Sequence, residues 1–224
     1  VSEVIPVGLD PREITIQIAS DPRPDSDPAT DEVWERMRRD TPRLFDGDIL
    51  AFEGWDSDAR TIHARRDGFK RLTVQPEVET GVTILSVTGL LRTGEGSDER
   101  VLLARRSSET RVYPQLWEFA PSGGIDAPRD GVRVLTGLDA WNQLKAELLE
   151  ELGVTLARQP APVCALTIDR VSNSCDLVFD VRFDERIEIK PASWEYVAAS
   201  WFTRAEIPAR HELIPPTAAL LDVL

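Results

Sequence analysis

Three glutamates, Glu147, Glu150 and Glu151, stand three and four positions apart in a segment, Asp139 to Gly153, whose apolar residues recur with a helical period. At about 100° per residue, this spacing puts all three carboxylates on one face of a helix. Like charges so placed cost an isolated helix about 0.2–0.5 kcal/mol per pair, so the grouping calls for solvent or a cation. Oxygen-only donors without a histidine suit Mg²⁺ or Mn²⁺ rather than zinc or copper, and Mg²⁺ commonly joins carboxylates to phosphates. With 39 acidic residues in 224, the three glutamates alone fit a solvated acidic face as well as a metal platform.

The helix that must carry them has a second arc, Trp141, Leu144, Leu148 and Leu152, suited to packing under a sheet. Asp139 reads as its N-cap and Gly153 as its C-cap. Among other chemistry-bearing residues, Arg105 and Arg106 follow the apolar run Val101-Leu102-Leu103, where a guanidinium fork could meet phosphate. Glu118 and Asp126 are weaker candidates: one of these acids could support the Trp117 strand and the other a loop, without touching substrate. His63 and His211 have no serine or cysteine partner in a triad pattern, and Cys164 and Cys175 read as reduced thiols without zinc-site spacing.

A net charge of −13 opposes attraction to nucleic acid or anionic lipid, so a polyanionic small molecule would need metal ions or local arginines. No apolar stretch is long enough to span a bilayer, and Val1-Ser-Glu-Val-Ile-Pro lacks a signal-peptide pattern, so the expected compartment is the cytoplasm.

The alternation of Ile14, Ile16 and Ile18 predicts a strand, Asp31 to Arg39 a short helix, and Ile49–Trp55 with Thr61–Arg65 a strand pair. A second block follows: a hairpin of Thr83–Leu91 and Val101–Arg105, the glutamate helix, strands near Val163–Ile168 and Leu177–Phe183, and a Trp201-Phe202 strand. The expected fold class is α/β, with a mixed sheet in α/β/α layers. The expected division is a small α+β N-terminal extension over residues 1–78 and a main domain over 79–224, with a soft boundary between Val74 and Gly81.

Ala146-Glu147-Leu148-Leu149-Glu150-Glu151-Leu152-Gly153-Val154 resembles the end of the Nudix signature, R-E-U-x-E-E-x-G-U, where U is aliphatic. Upstream, Leu116-Trp117-Glu118-Phe119-Ala120-Pro121-Ser122-Gly123-Gly124-Ile125-Asp126 resembles the entrance that precedes that signature. The resemblance spans roughly the last two thirds of the chain and implies the Nudix fold. It also implies a divalent-metal-dependent hydrolase that cleaves a diphosphate linkage. By resemblance, Glu147, Glu150, Glu151 and the carbonyl of Gly123 would hold Mg²⁺ or Mn²⁺. Glu147 is either a ligand or the base, and Glu195 sits where many members supply a further acid.

Two departures stand out. The connection from Gly124 to Ala146 is about eight residues longer than the family spacing, which leaves the mid-signature glutamate unassigned. Ala146 replaces the arginine that orients a catalytic carboxylate in the family.

Trp34, Pro42 and Leu44-Phe45-Asp46-Gly47 resemble the segment preceding the catalytic domain in members that split UDP-glucose and UDP-galactose. The expected substrate is therefore a nucleoside diphosphate sugar or a related nucleoside diphosphate derivative, and the family's habit of pairing allows a homodimer. The competing reading, drawn from Ala146 and the long connection, is a catalytically weak Nudix-like module that binds a nucleotide or a partner protein.

Overall fold

The computed structural model describes residues 2–223. The chain begins with strands β1 (Ser2–Leu9) and β2 (Thr15–Ile18), passes through helix α1 (Pro28–Asp40), and returns as β3 (Asp48–Asp56), β4 (Thr61–Gly68) and a short α2 (Phe69–Thr73). Next come β5 (Ile84–Thr93), β6 (Arg100–Arg106), β7 (Trp117–Phe119), β8 (Ser122–Gly124) and β9 (Val134–Thr136), which lead into α3 (Gly137–Leu152). The chain ends with β10 (Val163–Asp169), β11 (Ser174–Phe183), β12 (Tyr196–Thr203) and α4 (Pro215–Leu221).

All twelve strands belong to one mixed sheet, ordered β1-β10-β11-β5-β3-β4-β2-β9 along its main path. The pairs β11–β5 and β2–β4 are parallel, and the other pairs are antiparallel. Opposite β11, strand β5 serves three partners in turn, the first being Ala51 of β3 at Ile84. Ser86 to Thr88 pair with β8, whereas Arg92 and Thr93 pair with β6. The branch β12–β6–β7 therefore splays from the main path.

Helices cover both faces, as the expected α/β/α layering requires. On one face Leu85, Val87 and Phe179 pack against Trp141, Leu144 and Leu148 of α3. On the other, Leu90, Leu103, Phe119 and Val178 pack against Leu220 of α4. Leu144 and Leu148 are fully buried, a stabilisation of about 1.5–3 kcal/mol each relative to exposure.

The N-terminal segment is woven into this sheet rather than set apart from it. β1, absent from the sequence expectation, pairs with β10, and Ala51 of β3 pairs with Ile84 across the boundary expected near Val74–Gly81. Strand pairing is non-local, so spacing along the chain does not reveal it. Helix α1 starts at Pro28 rather than Asp31, because Asp27 caps it through the Thr30 N–H at 2.8 Å and proline suits the first helical turn.

The long connection before α3 has a structural use. Its residues Val134–Thr136 form β9, which pairs antiparallel with β2 at the sheet edge. The cap of α3 is Thr136 rather than the expected Asp139, whose carboxylate instead accepts the Thr136 N–H at 2.8 Å in a capping box. Gly153 ends the helix at φ +67°, the left-handed conformation that glycine adopts without a Cβ penalty.

Candidate active site

Helix α3 delivers its three glutamates to different depths. Glu151 is buried, Glu147 half-buried and Glu150 exposed, because the arc facing the sheet passes closest to position 151. The Glu151 carboxylate accepts the Ser122 N–H at 3.2 Å and so ties the helix to β8. Glu147 is held by Gln143, one turn earlier, whose amide donates to it at 2.8 Å. Its carboxylate lies over the bare Cα of Gly123, where any Cβ would overlap it. The glycine is thus needed for close approach between strand and carboxylate.

Two further acids converge on this cluster. Glu195, just before β12, is half-buried, and its carboxyl is raised by burial and by Glu118 and Glu150, with Arg106 and a hydrogen bond to Glu151 acting in the opposite sense. Glu118 on β7 is buried and paired with Arg106 on β6 at 2.5 Å, and the same guanidinium donates Nε–H to the Val112 carbonyl at 3.0 Å. Burial drives the Glu151 carboxyl well above the ordinary carboxylate range, and Glu195, Glu147 and Glu118 push it further. Glu147 is raised by burial and by Glu150, Glu195 and Asp126, against the hydrogen bond from Gln143.

The other expected residues divide. Arg105 is exposed and donates to the Gln115 carbonyl at 3.0 Å, on the opposite side of β6 from Arg106. Asp126 is exposed near Glu147, and its N–H donates to Gln143 at 3.4 Å. Ala146 is exposed on α3.

Several site residues escape the sequence reading. Gln143 had a usable signal, four positions before Glu147 on one helical face. Tyr196 lies buried beside Glu118 and Glu151, and its hydroxyl makes no well-formed hydrogen bond among the described residues. Asp176 interrupts an apolar strand, a pattern that marks a buried polar group.

The donor chemistry fits a hard divalent cation. Glu118, Glu147, Glu151 and Glu195 form one cluster in which a single guanidinium, Arg106, acts on Glu118 and Glu195, leaving surplus negative charge in a largely desolvated space. Among the described residues, however, no three of these side chains stand as a closed ligand set, so a cation would have to draw them inward.

Two hollows lie next to one another, sharing Phe69 and Arg111, and the smaller of them adjoins the cluster. One, of about 220 Å³, is lined by Arg106, Glu118 and Ser122–Gly124 from the cluster side, and it reaches Asp176 on the sheet face covered by α4. The other, of about 830 Å³, is lined by Arg43, Leu44, Phe45 and Trp194. The segment Leu44-Phe45-Asp46-Gly47 thus contributes to a groove beside the candidate site.

No family model matches this sequence, and no curated protein matches it. Among solved structures, the chain is similar to a MutT protein from Methanosarcina mazei Go1, with 20% identity and a TM-score of 0.47 over 63% of this chain and 91% of that one. It is also similar to the Nudix domain of Shewanella oneidensis NrtR, solved with ADP ribose, with 17% identity and a TM-score of 0.47 over 66% of this chain and 92% of that one. A C. elegans Ap4A hydrolase aligns at 13% identity and a TM-score of 0.38, over 54% of this chain and 81% of that one. The mixed α/β fold with helices on both faces of its sheet is established by the chain's own strand pairing.

Proposed function

We propose that this chain is a Nudix-type hydrolase that uses Mg²⁺ or Mn²⁺ to cleave the diphosphate linkage of a nucleoside diphosphate derivative, with a nucleoside diphosphate sugar as the substrate class. The observation that carries this reading is the under-neutralised carboxylate cluster of Glu118, Glu147, Glu151 and Glu195, with Glu147 seated over the bare Cα of Gly123. These residues belong to the two motifs that resemble the Nudix entrance and signature, except for Glu195, which comes from a distant loop.

In this reading Glu147, Glu150 and Glu151, with the Gly123 carbonyl, would hold the metal, which when bound would supply charge neutralisation at the diphosphate and a more acidic water. Arg106, fixed by Glu118, faces the phosphates at the cavity wall. Glu147 and Glu195 are the candidates to take the water's proton. Glu147 lies on the helix and Glu195 comes from outside it, and burial raises both carboxyls above the ordinary range.

The test is product chromatography over a panel of nucleoside diphosphate sugars, ADP-ribose and nucleoside triphosphates with Mg²⁺ or Mn²⁺. Turnover that requires the metal and is lost in Glu151→Gln supports the reading. A panel without turnover favours the binding module, for which the exposed Ala146 and the unassembled ligand set speak.

A further inference from the structure

We propose that the two hollows divide the substrate between them: the hydroxyl-lined cavity around Asp176 takes the sugar of a nucleoside diphosphate sugar, and the groove between Phe45 and Trp194 takes its base. This inference rests on the diphosphate-hydrolase reading and adds to it where each half of the substrate lies.

The cavity is built for hydroxyl groups. Ser86, Thr88, Thr167, Ser174 and Asp176 line it from β5, β10 and β11, with Ser86 and Thr167 both in register with Asp176. Asp176 is buried, and its carboxylate accepts from Ser174 at 2.9 Å and from Thr88 at 3.3 Å. A carboxylate offers about four lone-pair sites, so two remain for a ligand's donors. The neighbouring charged groups that act on Asp176 are acids, Glu118 and Asp169, and among the described residues it has no cationic partner. Asp169 contrasts with it, being satisfied by Tyr113, Ser172 and Ser2. A buried carboxylate lacking a cation is costly, and sugar hydroxyls donating into it relieve that cost.

Size and surface decide which half goes where. At about 220 Å³ the cavity falls below the roughly 300–1,000 Å³ of pockets that take drug-sized ligands, so it holds one saturated ring rather than a nucleoside. The groove, at about 830 Å³, has flat faces instead. Phe45 is 76% exposed, and Trp194 is 51% exposed with the Arg43 guanidinium 3.9 Å from its ring centre. Exposed aromatics with an adjacent guanidinium are stacking platforms for a base.

The hollows meet where a diphosphate would lie. Phe69 and Arg111 line both of them, and Arg106 lines the cavity beside the carboxylate cluster. Among the described residues Arg111 forms no ion pair, although the chain carries a net charge of −13, so its guanidinium is available to an anionic ligand.

The halves can be tested without turnover, by titrating glucose 1-phosphate and UMP calorimetrically into the full chain with Mg²⁺. Asp176→Asn and the near-isosteric Thr167→Val should each weaken glucose 1-phosphate tenfold or more and leave UMP within twofold, with thermal unfolding confirming that both variants fold. Phe45→Ala and Trp194→Ala should do the reverse. The proposal is overturned if either pair weakens both probes alike, if the cavity variants leave glucose 1-phosphate binding intact, or if the parent chain binds neither probe. Diphosphate turnover measured in parallel separates the two readings. Turnover with undivided halves sinks only the compartments, whereas absent turnover with divided halves sinks the hydrolase reading.

Discussion

Two buried carboxylates in this fold are treated in opposite ways. Asp67, at the end of β4, is fully buried and enclosed by Arg65 at 2.8 Å, Arg71 at 3.0 Å and the Gly68 N–H at 2.7 Å. Glu151 is nearly as buried, yet it has no cationic partner among the described residues: it accepts one backbone N–H, from Ser122, and its charged neighbours are Glu195, Glu147 and Glu118. A carboxylate that only builds the fold is surrounded by donors that neutralise it. One left among like charges is held there against the stability of the metal-free chain, the usual mark of a group kept for chemistry.

The largest expected break in this comparison is functional. Glu151→Gln should lower metal-dependent turnover at least about a hundredfold while the protein still folds, as steady-state kinetics beside thermal unfolding would show. The same variant carries a stability signature. A carboxyl whose folded pKa is raised contributes stability below its ordinary pKa and loses it as pH rises through the folded value. The metal-free parent should therefore weaken relative to Glu151→Gln as pH climbs above the ordinary glutamate range, and Mg²⁺ should close the gap. Parallel unfolding curves at every pH would remove the contrast with Asp67.

Asp67→Ala should act on stability instead. Stripping the carboxylate from two arginines costs about 3–5 kcal/mol in denaturant unfolding, with turnover of the folded fraction unchanged. An intermediate case is Asp176, which burial lifts from the ordinary 3.8 to about 6. Stability should fall by about 3 kcal/mol as pH rises from 4 through 6 and level off above, and Asp176→Asn should flatten that slope in urea titrations. Gly123→Ala should displace the Glu147 carboxylate and weaken Mg²⁺ binding about tenfold by calorimetry, with little loss of stability. The smallest effect belongs to Gly153→Ala, about 1 kcal/mol of thermal stability from a Cβ in the left-handed region.

The sequence exposed the local parts of this molecule well. Trp141, Leu144, Leu148 and Leu152 are all buried, Gly153 closes the helix, the strand around Ile16 lies where alternation put it, and those around Leu50 and Ile62 form the expected pair. Such features depend on neighbours three or four residues away, whose periodicity is written in the chain. Less legible were β1, which forms because β10 offers a free edge far along the chain, and β9, an edge strand hidden in an unusually long connection.

The sequence by itself determined that Glu147, Glu150 and Glu151 share one helix face and that a Gly-Gly pair precedes them, because helical spacing and glycine content are local properties. Only the tertiary structure decided that Glu151 is buried while Glu150 is not, that Arg106 and not Arg105 meets Glu118, and that Glu195 and Tyr196 join the cluster. It likewise brought Phe45, Trp194 and Asp176 to the edges of the same site. Depth and charge environment are set by the splay of β6 and β7 from β5 and by which strand edges meet, and those pairings join residues too far apart in the chain for any local pattern to record them.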